Sequence, residues 1–265
     1  MAQNLNLYSQ LIETIFFRHF QEGVKDFAFD RFEISATAEE LGLKLPKNIG
    51  DVLYTFRYRK PLPTRIRNSA PTGFEWTIRS AGIARYTFVL VPEFSVTPSP
   101  LLAETKILDA TPGVISRYAL TDEQALLAKL RYNRLIDIFT ALTCYSLQNH
   151  LRTTVADLGQ VETDEIYIGL DRRGVHYVIP VQAKGGRDKI GRIQIEQDFA
   201  MCAEKFSGLI CLPIATQFMA NNVIALFAFE YNQQRLAIST ERHYRLVRPE
   251  ELSAEELASY RARTL

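Results

Sequence analysis

Glu162-Thr163-Asp164-Glu165-Ile166-Tyr167-Ile168-Gly169-Leu170 is followed, after Asp171-Arg172-Arg173-Gly174, by His176-Tyr177-Val178-Ile179-Pro180-Val181-Gln182-Ala183-Lys184-Gly185-Gly186. Both halves are rich in β-branched and aromatic residues, and a short polar turn with a glycine separates them. The sequence therefore predicts strands over Gln160–Leu170 and His176–Ala183, joined as a hairpin. Side chains alternate between faces along a strand, so Glu162 and Asp164 are expected on one face, and Gln182 and Lys184 on one face of the neighbour. With the polar faces together, Asp164, Gln182 and Lys184 line one pocket. Carboxylate and amide oxygens are hard ligands suited to Mg²⁺. Cleaving a phosphodiester near neutral pH requires a cation that polarises the phosphoryl oxygen and lowers the pKa of bound water, with positive charge beside the developing anion. Asp164 is thus the first candidate ligand, Gln182 the second through its amide oxygen, and Lys184 the catalytic cation. Glu162 either joins the ligands or flanks the site.

The surrounding pattern is α/β. Upstream, Thr121-Asp122-Glu123-Gln124 has capping-box spacing, and Leu126, Leu127, Leu130, Leu135, Ile138, Phe139 and Leu142 predict one long buried helix to about Leu147. Downstream come a polar helix from about Ile190 to Lys205, an apolar strand at Leu209–Ile214, and strands at Val223–Glu230 and Arg235–Leu246. A last helix follows Ser253. Pro92, Pro98 and Pro100 punctuate Val91–Leu101 as in a linker, which puts a boundary near residue 100 and divides the chain into 1–100 and 101–265.

In the first part, Leu7, Leu11, Ile12, Ile15, Phe16 and Phe20 mark an amphipathic helix. A short helix follows around Ile34–Leu43, capped by Ser35 or Thr37 and ended by Gly42. After the turn Lys44-Leu45-Pro46-Lys47, a second helix runs from Asn48 to about Arg57. Two short helices about a tight turn form a helix-turn-helix, and strand-like runs at Phe74–Ile78 and Tyr86–Val91 would complete a winged-helix module. From Lys44 to Arg85 there are nine basic residues against two acidic ones, although the whole chain carries only +1. Charge gathered in one segment bears on nucleic-acid binding more than the overall sum does. Lys47, Asn48, Arg57, Arg59, Arg65 and Arg67 are the candidate DNA contacts, with base readout and backbone positioning left undivided. Gln194 and Gln197 either touch DNA or belong to a polar network.

Hydrophobic residues make up 47% of the chain, enough for a packed core. No window approaches the roughly 18 consecutive apolar residues that suggest a membrane span, so a soluble protein is expected. Cys144, Cys202 and Cys211 lie in apolar stretches without metal-ligand spacing, as buried thiols do in a reducing cytoplasm. The four histidines are isolated from one another and from any cysteine, which suggests ordinary surface or core roles.

Asp164 on one strand and Gln182-Ala183-Lys184 on the next resemble the layout of the PD-(D/E)XK nuclease superfamily, over roughly residues 120–215. The preceding helix, Gly185-Gly186 after the lysine, and a following helix with Gln194 and Gln197 extend the resemblance. Thr163-Asp164 stands in place of Pro-Asp, and Gln182 replaces the usual acid, a QxK variant. The resemblance implies a restriction-endonuclease-like mixed sheet flanked by helices and Mg²⁺-dependent hydrolysis of double-stranded DNA to 5′-phosphate and 3′-hydroxyl ends. It also implies a homodimer, because cutting both strands of a palindrome calls for two sites related by a two-fold axis, and a possible cognate DNA methyltransferase. Two rivals remain: a repair or junction nuclease that reads DNA shape, and a DNA-binding regulator whose nuclease core is degenerate.

Overall fold

A computed structural model describes residues 2–45, 48–118, 123–156, 158–185, 190–232 and 235–262. The expected capping box at Thr121 and Asp122, the turn residues Pro46 and Lys47, and Gly186 lie outside the described residues. The chain divides into two compact units. One comprises Met1–Ser95 with Thr153–Val161 and Gly191–Gln197; the other comprises Val96–Arg152, Glu162–Ile190 and Asp198–Leu265.

The first unit contains α1 (Ala2–His19), β1 (Asp26–Asp30), α2 (Phe32–Glu40), α3 (Gly50–Tyr54), α4 (Thr64–Arg67), β2 (Phe74–Ser80) and β3 (Arg85–Pro92). Its three strands form an antiparallel sheet in the order β1-β3-β2. The apolar stripe of α1 is buried as its spacing predicts: Leu11, Ile12, Ile15 and Phe16 are fully enclosed. Phe16 has the rings of Phe17, Phe20, Phe27, Trp76 and Phe88 within 5.0 to 5.2 Å, so one side chain ties the helix to all three strands. Helix α2 begins earlier than expected, which places Ser35 and Thr37 inside it, and Thr37 is buried. Its first turn is instead held by the Glu33 carboxylate, which accepts the Asp30 N–H at 2.9 Å. Gly42, at φ +63°, ends the helix, and Leu43 N–H returns to the Ala38 carbonyl at 2.8 Å. Helix α3 continues into a π-helical turn, Thr55–Arg59, closed by Lys60 N–H on the Thr55 carbonyl at 2.8 Å.

From residue 96 on, the chain forms β4 (Glu104–Leu108), α5 (Gly113–Tyr118), α6 (Glu123–Tyr132), α7 (Leu135–Thr140), β5 (Thr143–Val155), β6 (Gly159–Leu170) and β7 (His176–Lys184). It continues with α8 (Arg192–Lys205), β8 (Ile210–Cys211), β9 (Ile214–Phe218), β10 (Val223–Asn232), β11 (Arg235–Val247) and α9 (Ala254–Arg261); all of these belong to the second unit except the end of β5, the start of β6 and the first turns of α8, which count with the first. The strands form one mixed sheet in the order β4-β11-β10-β9-β7-β6-β5, with β8 beside β7. Pairing is antiparallel for β6–β7, β9–β10 and β10–β11, and parallel for β7–β8, β7–β9 and β4–β11. The protein is therefore mixed α/β, with a mixed central sheet flanked by helices. Every residue of β7 from Val178 to Ala183 is buried, as in a strand covered on both faces. Pro180 fits this central strand because, on the β8–β9 side, it falls where β8 has ended and β9 has not begun.

The single long helix expected to Leu147 is instead α6, α7 and the start of β5. Arg134 (φ +50°) and Ala141 (φ +57°) adopt left-handed conformations that break the helix twice. Just before the first break sits buried Asn133. Its amide nitrogen donates to Thr111 Oγ1 (2.9 Å) and the Lys129 carbonyl (3.0 Å), and its oxygen accepts the Ala110 N–H at 2.7 Å. No helix among the described residues is long and apolar enough to cross a membrane.

Candidate active site

The β6–β7 pairing, with Glu165 opposite Val181, sets the site. Tyr167, Ile179, Val181 and Ala183 pack with Leu126, Leu127 and Leu130 of α6 in one core. By alternation Gln182 points to the other face, and there its amide nitrogen meets Asp198 of α8, at 3.0 and 3.2 Å from the two carboxylate oxygens. Thr163 donates its hydroxyl to the same carboxylate. Glu165 turns the opposite way, to the hydroxyl of Ser146 (2.6 Å) and the Arg131 guanidinium (3.1 Å) of α6. Thr163 and Glu165 thus have partners on opposite faces, so the period of two is interrupted at Asp164.

At this interruption the Asp164 carboxylate accepts the Ala183 N–H at 2.8 Å, fixing it beside the backbone of the Gln182-Ala183-Lys184 segment. Burial raises the Asp164 pKa above the ordinary aspartate value, opposed by the Ala183 hydrogen bond and the charge of Lys184; Glu123 pushes the same way as burial. Lys184 Nζ lies 3.0 Å from Glu123 Oε1. The structure therefore gathers Asp164, Lys184 and Glu123. Gln182 belongs to a neighbouring buried group with Asp198 and Thr163, close enough that the Asp164 charge also acts on Asp198. Burial pushes the Asp198 pKa up to about 7, against the hydrogen bonds from Thr163 and Gln182. Glu162 is half-exposed and pairs with Arg152 (3.1 Å) and His150 (3.8 Å).

Three of these residues were not singled out in the sequence. Glu123 read as part of a helix cap. Asp198 sat in a helix read as polar, with nothing local to mark it as buried. His150 looked isolated, yet it reaches Glu162 and Gln124, and its backbone takes φ +49°, a strained conformation for a side chain of this kind.

Among the described residues, no group of three or more His, Cys, Asp and Glu side chains is arranged to hold a metal ion. The donor chemistry at the Asp164 end nonetheless suits Mg²⁺, which commonly takes one or two carboxylates and keeps several waters. Asp164 and Glu123 are the carboxylates gathered there.

The candidate DNA contacts lie within the first unit, except Lys47, which is outside the described residues. Asn48 is exposed and occupied locally: Nδ2 donates to Asp51 (2.9 Å) and Oδ1 accepts the Gly50 N–H (3.1 Å). The π-helical turn presents alternating cations and rings. Arg57 lies over Tyr58 (5.0 Å) and Tyr86 (5.9 Å), Arg59 over Tyr54 (4.8 Å), and the Tyr54 ring lies 5.0 Å from that of Tyr58, tilted by 52°. Arg65 covers Phe17 at 4.4 Å and pairs with Glu13 at 3.2 Å, whereas Arg67 bonds the Leu62 carbonyl and the Thr64 hydroxyl. Gln194 accepts the Gly191 N–H at 3.4 Å, and Gln197 donates to the Tyr58 hydroxyl at 2.9 Å.

No family model, curated protein or solved structure matches the chain.

Proposed function

We propose that the protein is a Mg²⁺-dependent endonuclease acting on double-stranded DNA, of restriction type, with a restriction-endonuclease-like core and a winged-helix reader at its N-terminal end. The observation that carries the reading is the placement of Asp164 across from Gln182-Ala183-Lys184, held by the Ala183 N–H and coupled to Lys184 and Glu123. Asp164 and Glu123 would hold the ion. Bound there, Mg²⁺ would polarise the phosphoryl oxygen and lower the pKa of a bound water. Lys184 supplies the cation that offsets charge developing on the phosphate, and its present pairing with Glu123 keeps that ammonium at the site. The Arg57–Arg59 turn offers cations and aromatic faces to the DNA backbone. A restriction role further implies a homodimer, cytoplasmic residence and a cognate methyltransferase protecting the same site.

Incubating supercoiled plasmid with the protein and Mg²⁺, then sequencing the ends, tests this reading. Discrete fragments that disappear in Lys184→Ala, with a rate loss of at least about 100-fold and DNA binding retained, are the expected result. The regulator reading has one observation in its favour: the Gln182 amide is engaged with Asp198. Tight DNA binding without cleavage in Mg²⁺ or Mn²⁺ would replace the nuclease by that regulator. Preference for branched or mismatched duplexes would point to a repair enzyme.

A further inference from the structure

Cys202 lies near the end of α8 and Cys211 in β8, and both belong to the second unit. Between them the chain reverses. Phe206 N–H returns to the Cys202 carbonyl and Leu209 N–H to the Phe206 carbonyl, each at 2.9 Å, and Cys211 then pairs in register with Val178 of β7. The reversal brings the two thiols into hydrogen-bond contact. Cys202 is 1% exposed, whereas Cys211 is partly open to solvent. Contact with Cys211 and burial both push the Cys202 thiol up, so Cys202 keeps its proton and Cys211 is the acceptor. Cys144 differs, because its sulfur meets the Thr140 hydroxyl and the Leu142 carbonyl, each at 3.7 Å, instead of a thiol.

We infer that Cys202 and Cys211 form a redox-responsive pair that hydrogen peroxide converts into an intramolecular disulfide, with Cys211 as the peroxide-reactive thiol and Cys202 as its resolving partner. The Cys211 sulfur, deprotonated, attacks one peroxide oxygen. The O–O bond breaks, the second oxygen leaves as hydroxide and takes up a proton to become water, and Cys211 is left as a sulfenic acid. The Cys202 sulfur then attacks the Cys211 sulfur. The S–O bond breaks, and the departing hydroxide leaves as water with the Cys202 proton. Two thiols have then lost two electrons, and one peroxide has become two waters. A disulfide bond is only about 2.0 Å long, so the reaction draws α8 and β8 together where they already touch. Asp198 precedes Cys202 by one helical turn, and its charge acts on Cys202. The cross-link therefore pins the turn of α8 next to the buried Thr163, Gln182 and Asp198 group.

The test treats the full chain with hydrogen peroxide, blocks the remaining thiols with iodoacetamide in denaturant and identifies the unreduced peptides by mass spectrometry. Free thiols are expected to fall from three to one, with the Cys202 and Cys211 peptides joined, Cys144 alkylated, and the link reversed by dithiothreitol. In Cys202→Ala, which lacks the resolving thiol, dimedone is expected to label Cys211 after peroxide; in Cys211→Ser, Cys202 is expected to stay unlabelled. Recovery of both peptides separate and alkylated overturns the inference, as does a link from Cys211 to Cys144 or to a second molecule, or dimedone on Cys202 in Cys211→Ser. Should Cys202→Ala fail to fold, the wild-type peptides and Cys211→Ser still decide. None of these readouts involves DNA, so this inference and the nuclease reading stand or fall separately.

Discussion

Phe16 shows how much one side chain can carry: it is fully buried and packed against five aromatic rings. Phe16→Ala is expected to cost about 3–5 kcal/mol, read as a lowered urea midpoint with little change in slope. A loss below about 1 kcal/mol would mean that the ring cluster closes around the gap. Among polar residues, what could be read in advance depended on distance along the chain. That Asp164 lies beside the Gln182–Lys184 segment was legible, because the turn between two predicted strands brings them together. The burial of Asp198 was not, because its partners Thr163 and Gln182 lie 35 and 16 residues away and a carboxylate in a helix ordinarily faces water. Glu123 was hidden similarly, its Lys184 partner being 61 residues distant.

Helices and strands were read well where the pattern ran unbroken, as in α1 and β7; the span of β6 was also read, but not its break at Asp164. The error between Leu126 and Leu147 has a definite cause. The step from Leu130 to Leu135 spans five residues, about 140° out of phase with a helix of roughly 100° per residue, and two left-handed residues occupy the breaks. Strand β5 gave no alternation because it ends the sheet order and most of its side chains are exposed. Ala141 supplies a test of these breaks, since a Cβ at φ +57° is disfavoured and a glycine is not. Ala141→Gly is expected to stabilise the protein by about 0.5 kcal/mol, the relief of strain exceeding the added unfolded-state entropy. A fall in melting temperature would show that the left-handed turn costs nothing here.

For the molecule as a whole, the net charge of +1 conceals the cationic segment between Lys44 and Arg85. If that segment neutralises phosphates, duplex affinity falls steeply with salt, and replacing Arg57 and Arg59 by alanine flattens the log–log slope by about 0.9 for each phosphate no longer neutralised. Fluorescence anisotropy across a KCl series measures this, and an unchanged slope in the double variant would place the DNA surface elsewhere. The assignment of Thr153–Val161 and Gly191–Gln197 to the first unit was not legible, because it follows from tertiary pairing and not from any local change in composition.

The larger sheet also joins early chain to late chain: β4 lies parallel to β11, with Glu104 opposite His243 and Leu108 opposite Val247. A ribosome has therefore to deliver nearly the whole polypeptide before β4 can find its neighbour, and closing so long a loop slows folding. Messages truncated before β11 would yield chains with an orphaned strand, open to misassembly and proteolysis and unable to complete the sheet.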